Sequence, residues 1–145
     1  MYKVSAIVCV SPTGGIGDVD GNLLYKSTAD MAFFVGFTLG KILVVGYNTL
    51  STLPKKMNNR VILPDTRCLK DLKWVARNDM KEVVVIGGAA TYTKYANQVD
   101  ELYVTTMFEE SDKEAAAFFD MSAYSHLKDK GVIFKNRDFE IRRWA

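Results

Sequence analysis

Residues 82–92 read EVVVIGGAATY. Four β-branched residues in a row, 83–86, make a strand buried on both faces, because a half-exposed strand would alternate apolar with polar. The strand, read over 82–86, stops abruptly at Gly87-Gly88, and 89–96 reads as a helix. Strand, tight glycine turn and helix together form the repeating unit of a parallel sheet. The same grammar recurs upstream. Residues 42–46 (ILVVG) are a second buried strand ending on glycine, followed by one or two helical turns over 47–53. Residues 4–10 (VSAIVCV) are a third.

Working outward, 27–40 (STADMAFFVGFTLG) opens with Ser27-x-x-Asp30, a helix-start signature, and continues with apolar residues at helical spacing. Residues 60–63 read as a short strand that stops at Pro64-Asp65, 69–78 as a helix with basic residues outside, and 101–107 (ELYVTTM) as a strand. Residues 109–114 are an acidic loop. Residues 132–135 and 139–144 alternate like antiparallel strands about a turn at Asn136-Arg137-Asp138. The expected fold is α/β: one domain, 1–145, with a mostly parallel central sheet, helices on both faces and a C-terminal antiparallel hairpin. Ligands of such sheets bind at the carboxyl ends of the strands, which directs attention to 11–27, 46–53, 64–68 and 87–91. The first of these holds Gly14, Gly15, Gly17 and Gly21, and a loop that long in a small domain is functional or mobile.

Composition narrows the function classes. The chain has 145 residues, 48% hydrophobic and 25% charged, with a net charge of +2. That is an ordinary globular balance, too weakly basic for a nucleic-acid protein. No stretch approaches the ~20 apolar residues of a membrane span, and no signal peptide stands out. A soluble cytosolic protein without nucleic-acid or membrane partners is expected. Cys9 and Cys68 are too few for a disulfide scaffold or a zinc site, and read as reduced thiols. Asp18-Val19-Asp20-Gly21-Asn22 imitates the start of a calcium loop but has Leu23 at the sixth position and Ala29 at the twelfth, so no metal is expected. His126 reads as a solvated histidine and Phe118-Phe119 as core filler.

Three places carry chemistry. Asp30 is the only charged residue between Thr28 and Gly40, with Phe33, Phe34 and Phe37 at helical spacing. A carboxylate against aromatic rings is desolvated, which suits it to proton work or to gripping a cationic ligand; the plainer reading is a helix cap. Gly87-Gly88 either lets backbone N–H groups reach phosphates or is simply a tight turn. Gly46-Tyr47-Asn48-Thr49 is a second such turn, with Asn48 or Thr49 as a candidate cap. Neither nucleotide fingerprint, GxGxxG or GxxxxGK[ST], is met.

Over nearly its whole length the chain resembles a short, divergent dihydrofolate reductase. The resemblance rests on 6–25 (AIVCVSPTGGIGDVDGNLLY), 28–34 (TADMAFF), 38–54 (TLGKILVVGYNTLSTLP), 83–92 (VVVIGGAATY) and 100–106 (DELYVTT), in the same order and spacing. It implies that Asp30 holds the pteridine amino group and ring nitrogen, with Thr105 supporting the acid. Met31, Phe34 and Leu53 would pack on the pterin and benzoyl ring. Ile7, Val8, Cys9 and Ile86 would form the floor, with Tyr92 beside it. The mobile loop would span 16–24, with Ile16, Gly17 and Leu23 near the nicotinamide. Gly46, Tyr47, Asn48, Thr49, Leu63, Arg67, Gly87, Gly88, Ala89, Ala90 and Thr91 would surround the dinucleotide, and Gly87-Gly88 would be joined by a cis peptide. The implied chemistry is hydride transfer from NADPH to C6 of dihydrofolate, with the proton at N5, by a monomer.

The chain departs from the family's pattern in places. Leu24-Tyr25 replaces Pro-Trp, so Tyr25 takes the tryptophan's place beside the substrate. Tyr47, Ala90 and Pro64-Asp65 stand where basic residues usually hold the 2′-phosphate of NADPH, so NADH is not excluded; Arg67 is the available substitute and Asp65 a possible ribose partner. Arg60 is the expected partner of the folate tail carboxylate. Two other readings stand beside this one. A related pterin or pyrimidinone reductase lacks the helix acid, and a non-catalytic dinucleotide-binding module would bind cofactor without turnover.

Overall fold

The computed structural model describes residues 2–53 and 57–145. Pro54, which ends one of the segments carrying the resemblance, lies outside them. The central sheet has seven strands. β1 (Val4–Val10), β3 (Ile42–Val45), β4 (Val61–Pro64), β5 (Val83–Val85) and β6 (Glu101–Met107) run parallel in the order β4-β3-β5-β1-β6. β9 (Phe139–Trp144) pairs antiparallel with β6, and β8 (Asp129–Lys135) closes that edge antiparallel to β9. This is the expected mostly parallel sheet with its closing hairpin.

Period-two alternation sorts the buried strands between two apolar layers. Val4, Ala6, Val8, Ile42, Val44, Val83 and Val85 face one way, toward Leu72 and Ala76 of α3 (Leu72–Asp79) and Tyr92 of α4 (Ala89–Lys94). Ile7, Leu43, Val45, Val84 and Ile86 face the other way. There they meet Phe33, Phe34 and Phe37 of α1 (Thr28–Thr38) and Leu50 of α2 (Tyr47–Leu50). Helices therefore cover both faces, and each strand face contributes roughly 1.5–3 kcal/mol per fully buried side chain.

Several boundaries differ from expectation for identifiable reasons. α3 starts at Leu72 because Asp71 caps it: its Oδ1 accepts from the Trp74 N–H at 2.9 Å. Pro64 belongs to β4, which tolerates it because β4 is the sheet's outer strand and needs no further donor on that side. α4 ends at Lys94 and a 3₁₀ turn follows over Ala96–Gln98. β8 begins three residues early, at Asp129, where Arg142 Nη1 meets both carboxylate oxygens at 3.0 and 2.8 Å.

A second, two-stranded sheet was not expected. β2 (Gly15–Gly17), inside the glycine-rich loop, pairs antiparallel with β7 (Ala117–Phe118). Of the two phenylalanines read as core filler, only Phe119 is packed. It sits edge-on to Tyr92 at 5.3 Å and stacks on Tyr124 at 5.2 Å, while Phe118 is 52% exposed. The His126 ring is also less free than expected: it stacks on Tyr124 and its Nε2 lies 3.0 Å from the Val99 carbonyl. Asp18 explains the calcium-like pentapeptide. Its Oδ1 accepts from the N–H groups of Asp20 and Asn22, each at 2.9 Å, closing a turn on itself.

Because Phe119 bridges Tyr92 to Tyr124, Phe119→Ala should cost about 3 kcal/mol of stability. Urea denaturation should show a lower midpoint with an unchanged slope; an unmoved midpoint would mean the stack is incidental.

Candidate active site

Asp30 enters from the first turn of α1. Ser27 caps that turn, its Oγ accepting from the Asp30 N–H at 3.2 Å. The carboxylate does not return to the cap, which removes the plainer reading of Asp30. It turns instead to the sheet, where Thr105 Oγ1 of β6 donates to Oδ1 at 2.9 Å. Burial raises the Asp30 pKa above the usual carboxylate value; the hydrogen bond from Thr105 offsets part of that rise. Among the described residues no lysine or arginine pairs with it. Such a group holds a proton readily, or binds a cationic or hydrogen-bond-donating partner tightly.

The ends of β3 and β5 form the second feature. The Gly46 N–H donates to the Gly87 carbonyl at 2.6 Å, and Gly87-Gly88 is a cis peptide, as the resemblance implies. A Cβ on Gly46 would lie 2.6 Å from Thr91 Oγ1 and 3.3 Å from both Gly87 O and Gly88 N. One on Gly88 would lie 3.1 Å from Thr49 Oγ1. The two turns thus touch only because neither carries a side chain. Gly46 itself is the N-cap of α2 and Gly88 of α4, and neither has a side-chain cap bond. Asn48 and Thr49, expected as caps, lie inside the first turn and are left to face the cleft. Below them Tyr92 donates its hydroxyl to the Ile7 carbonyl at 2.7 Å. Burial pushes that phenol far above its ordinary pKa.

Two clefts open along this edge. The first, about 520 Å³, runs from Val8 and Ile86 past Gly87, Gly88, Asn48 and Thr49 to Ile16, Gly17 and Leu23, with Tyr92 in its wall. The second, about 900 Å³, is lined by Asp30, Met31, Tyr25, Leu23 and Val35. They share Cys9, Ile16, Leu23 and Thr52, so they meet at Cys9. Phe34 and Leu53 pack beneath α1 in the same layer as Ile7 and Ile86. Tyr25 lies at the rim of the second cleft, its hydroxyl donating to the Glu109 carbonyl at 2.7 Å.

Other expected residues stand apart. Tyr47 is 83% exposed, and neither it, Leu63, Arg67 nor Ala90 lines either cleft. Ala89 and Thr91 lie just behind Gly88, and the Thr91 hydroxyl is 3.4 Å from Asp65 Oδ2. Asp65 turns away from the clefts, accepting from Lys94 Nζ at 2.8 Å and the Tyr95 hydroxyl at 2.6 Å. Those contacts occupy it and remove it as a ribose partner. Arg60 spends its Nε on Thr38 Oγ1 at 2.8 Å, Nη1 on the Asn58 carbonyl at 2.6 Å and Nη2 on the Val35 carbonyl. One N–H remains free on each terminal nitrogen. Sequence reading missed Thr52, Val35 and the Ala116-Ala117 wall. Thr52 was findable from its three-residue spacing to Thr49; the two alanines carry no signal.

A half-buried acid in one cleft and paired glycine turns in the adjoining one define an α/β protein with two joined clefts at a parallel sheet's carboxyl edge. The family model described as dihydrofolate reductase matches residues 3–138. The chain is 26% identical over 125 residues to dihydrofolate reductase type 9 of Escherichia coli, covering 72% of this chain and 70% of that one. It is 29% identical over 119 residues to the dihydrofolate reductase of Haemophilus influenzae, covering 74% of each. The solved dihydrofolate reductase from Enterococcus faecalis, complexed with NADP(H) and RAB-propyl, superposes with a TM-score of 0.75 at 21% identity, over 98% of this chain and 95% of that one. The chain belongs to the dihydrofolate reductase family and is an oxidoreductase.

The burial of Asp30 has a measurable consequence. Its folded-state pKa is raised, so the stability tied to the neutral carboxyl is fully present below the unfolded value of about 4 and is lost as pH rises through the folded value. Asp30→Asn should therefore raise the melting temperature at neutral pH, with the gain shrinking as the buffer is acidified. A gain that does not depend on pH would separate it from ionisation.

Proposed function

We propose that this chain reduces 7,8-dihydrofolate to tetrahydrofolate with NADPH, and that Asp30 is the residue on which the reaction turns. The observation that carries the reading is the Asp30 carboxylate, half-buried, hydrogen-bonded to Thr105 and without a salt-bridge partner among the described residues, in a cleft that joins a glycine-lined one at Cys9. The relatives' names and the NADP(H) in the Enterococcus faecalis complex point the same way.

The first cleft suits the cofactor: apolar walls at Val8, Ile16 and Ile86 adjoin uncapped backbone amides and the Asn48 and Thr49 side chains. When bound, NADPH supplies the hydride, delivered from the nicotinamide to C6 of the pterin. The chain's own residues do the rest. Asp30 accepts from the pterin's amino edge and favours the proton arriving at N5. Thr105 fixes the orientation of that carboxylate. Val8, Cys9 and Ile86 line the floor of the first cleft, with Ile7 backing it from the α1 side of β1, and this apolar lining strengthens each electrostatic contact above it. Loop residues Ile16, Gly17 and Leu23 close the junction from above, and Tyr25 guards the rim. Met31, Phe34 and Leu53 supply apolar surface for the ring linking pterin to tail. Arg60, with two N–H groups left, takes one tail carboxylate.

For the 2′-phosphate, Arg67 is the cation this reading assigns. It is exposed at the turn after β4, and the occupied Asp65 beside it no longer opposes an anion. The enzyme acts as a single-domain cytoplasmic monomer whose partners are small molecules; no helix of the described residues is long and apolar enough to cross a membrane.

Asp30→Asn should lower kcat/KM for dihydrofolate by at least about 10²-fold with NADPH affinity unchanged, read by loss of nicotinamide absorbance and by fluorescence titration. Undiminished turnover would remove Asp30 from the reaction. Arg67→Ala should weaken NADPH binding about tenfold and leave NADH untouched. Equal losses for both cofactors would mean that Arg67 does not read the phosphate.

A further inference from the structure

On β6, Glu101, Tyr103 and Thr105 occupy alternate positions, so all three side chains leave the sheet on the face that α1 covers. On α1, Asp30, Phe33 and Phe37 form the facing stripe at helical spacing. The two rows meet in order. Thr105 Oγ1 donates to Asp30 Oδ1 at 2.9 Å, and the Tyr103 ring lies 6.2 Å from the Phe33 ring and 4.7 Å from the Phe37 ring. Tyr103 is itself fixed at its far end, its hydroxyl donating to Glu101 Oε2 at 2.6 Å. Arg143, the register partner of Tyr103 on β9, donates to the same oxygen from Nε at 3.2 Å, and Lys3 pairs with Oε1. We propose that Tyr103, clamped by Glu101, is a positioning residue for the acid: its ring sets the height of α1 over β6 and so brings the Asp30 carboxylate onto Thr105. This rests on Asp30 being the acid of the proposed reaction.

Packing alone does not account for this arrangement. A ring that only fills space under α1 needs no hydroxyl, and a phenylalanine would fill nearly the same volume. Here the phenol reaches a carboxylate that is 7% exposed and already paired with cations from opposite ends of the chain. Burial works against the charge on Glu101, but hydrogen bonds from Lys3, Tyr103 and Arg143 outweigh it and bring the pKa down to about 2. Glu101 is therefore a fixed anchor at any working pH. Phe33 stands less than one helical turn from Asp30, so a tilt of α1 at Phe33 is passed directly to the acid. Tyr103 stays neutral, its phenol pushed up to about 12 by burial and by Glu101, so removing the hydroxyl changes no charge near Asp30. The ionisable residues that line the Asp30 cleft, Cys9, Tyr25, Lys26 and Lys113, are untouched by that change.

A double-mutant cycle of Tyr103→Phe and Thr105→Val tests the clamp. The first keeps the ring and frees it from Glu101; the second keeps the shape of Thr105 and removes its donor. Thr105→Ala closes the same cycle where valine is not accommodated. The main readout is the pH at which Asp30 ionises in the folded protein, obtained from stability curves with and without Asp30→Asn, which needs no turnover. Tyr103→Phe alone should move that midpoint up by about half a pH unit, because a slackened hydrogen bond no longer favours the carboxylate. With the Thr105 hydroxyl already removed, it should move the midpoint no further. Turnover is the second readout: Tyr103→Phe should lower kcat/KM for dihydrofolate about tenfold with NADPH affinity unchanged. If Tyr103→Phe lowers only the melting temperature and leaves the Asp30 midpoint in place, or moves it equally with and without the Thr105 hydroxyl, the ring is packing alone and the proposal fails. If the unaltered protein does not turn over dihydrofolate while the midpoint still moves as stated, the clamp stands and the reduction reading fails.

Discussion

The half-buried carboxylate of Asp30, without a salt-bridge partner among the described residues and tied to Thr105 across 75 residues of sequence, sets the terms for the rest of the molecule. An acid in that setting costs stability whenever it is ionised. The cost is borne by the elements that hold it down. Phe33 stacks on Phe37 at 5.8 Å, Phe37 meets Tyr103 at 4.7 Å, and these rings with Phe34 seal α1 onto the sheet. The helix cannot slide or rotate to expose the acid without exposing the rings beside it. Stability is thus given up at one residue and recovered from its helical neighbours, the usual arrangement at a working site.

The second constraint is geometric. Two strand ends must approach closely enough for Gly46 and Gly87 to bond backbone to backbone, so the surface between β3 and β5 is made of main chain. A main-chain surface offers N–H donors without side-chain entropy to lose. Behind it, Thr91, Asp65, Lys94 and Tyr95 form a polar brace that fixes α4 against the end of β4. Asp65 therefore serves the frame, although in sequence it stands where a ligand contact is expected.

That contrast defines what the sequence made legible. The parallel sheet was readable because Val83 to Ile86 and Ile42 to Val45 are apolar on both faces and end on glycine. Asp30 was readable as unusual because no other charge shares its helix. The pairing of β2 with β7 was not readable: three and two residues, mostly small, meet across about a hundred positions, and no local propensity signals it. Arg60 was visible as a cation but not as one whose donors are largely spent on the last turn of α1. Spacing tells which residues are near one another along an element; it does not tell which hydrogen bonds their polar ends will find first.

The loop over the clefts follows the same logic in reverse. Its tip at Val19 is 84% exposed, and its inner end at Leu24 is buried. Between them its ties are polar: Ala116 N–H to the Gly17 carbonyl at 2.8 Å, Ser111 Oγ to the Leu24 carbonyl at 2.6 Å, and Asp18 to its own backbone. Polar bonds near the surface, such as those of Asp18, exchange with water at little net cost. Apolar burial, which fixes α1, is found here only at the loop's two ends, Ile16 and Leu24. A segment anchored by Ile16 and Leu24 at its two ends and tied down elsewhere by polar bonds opens more cheaply than the sheet beneath it unfolds. The floor that aligns the ligands can therefore stay rigid while the cover that excludes water moves.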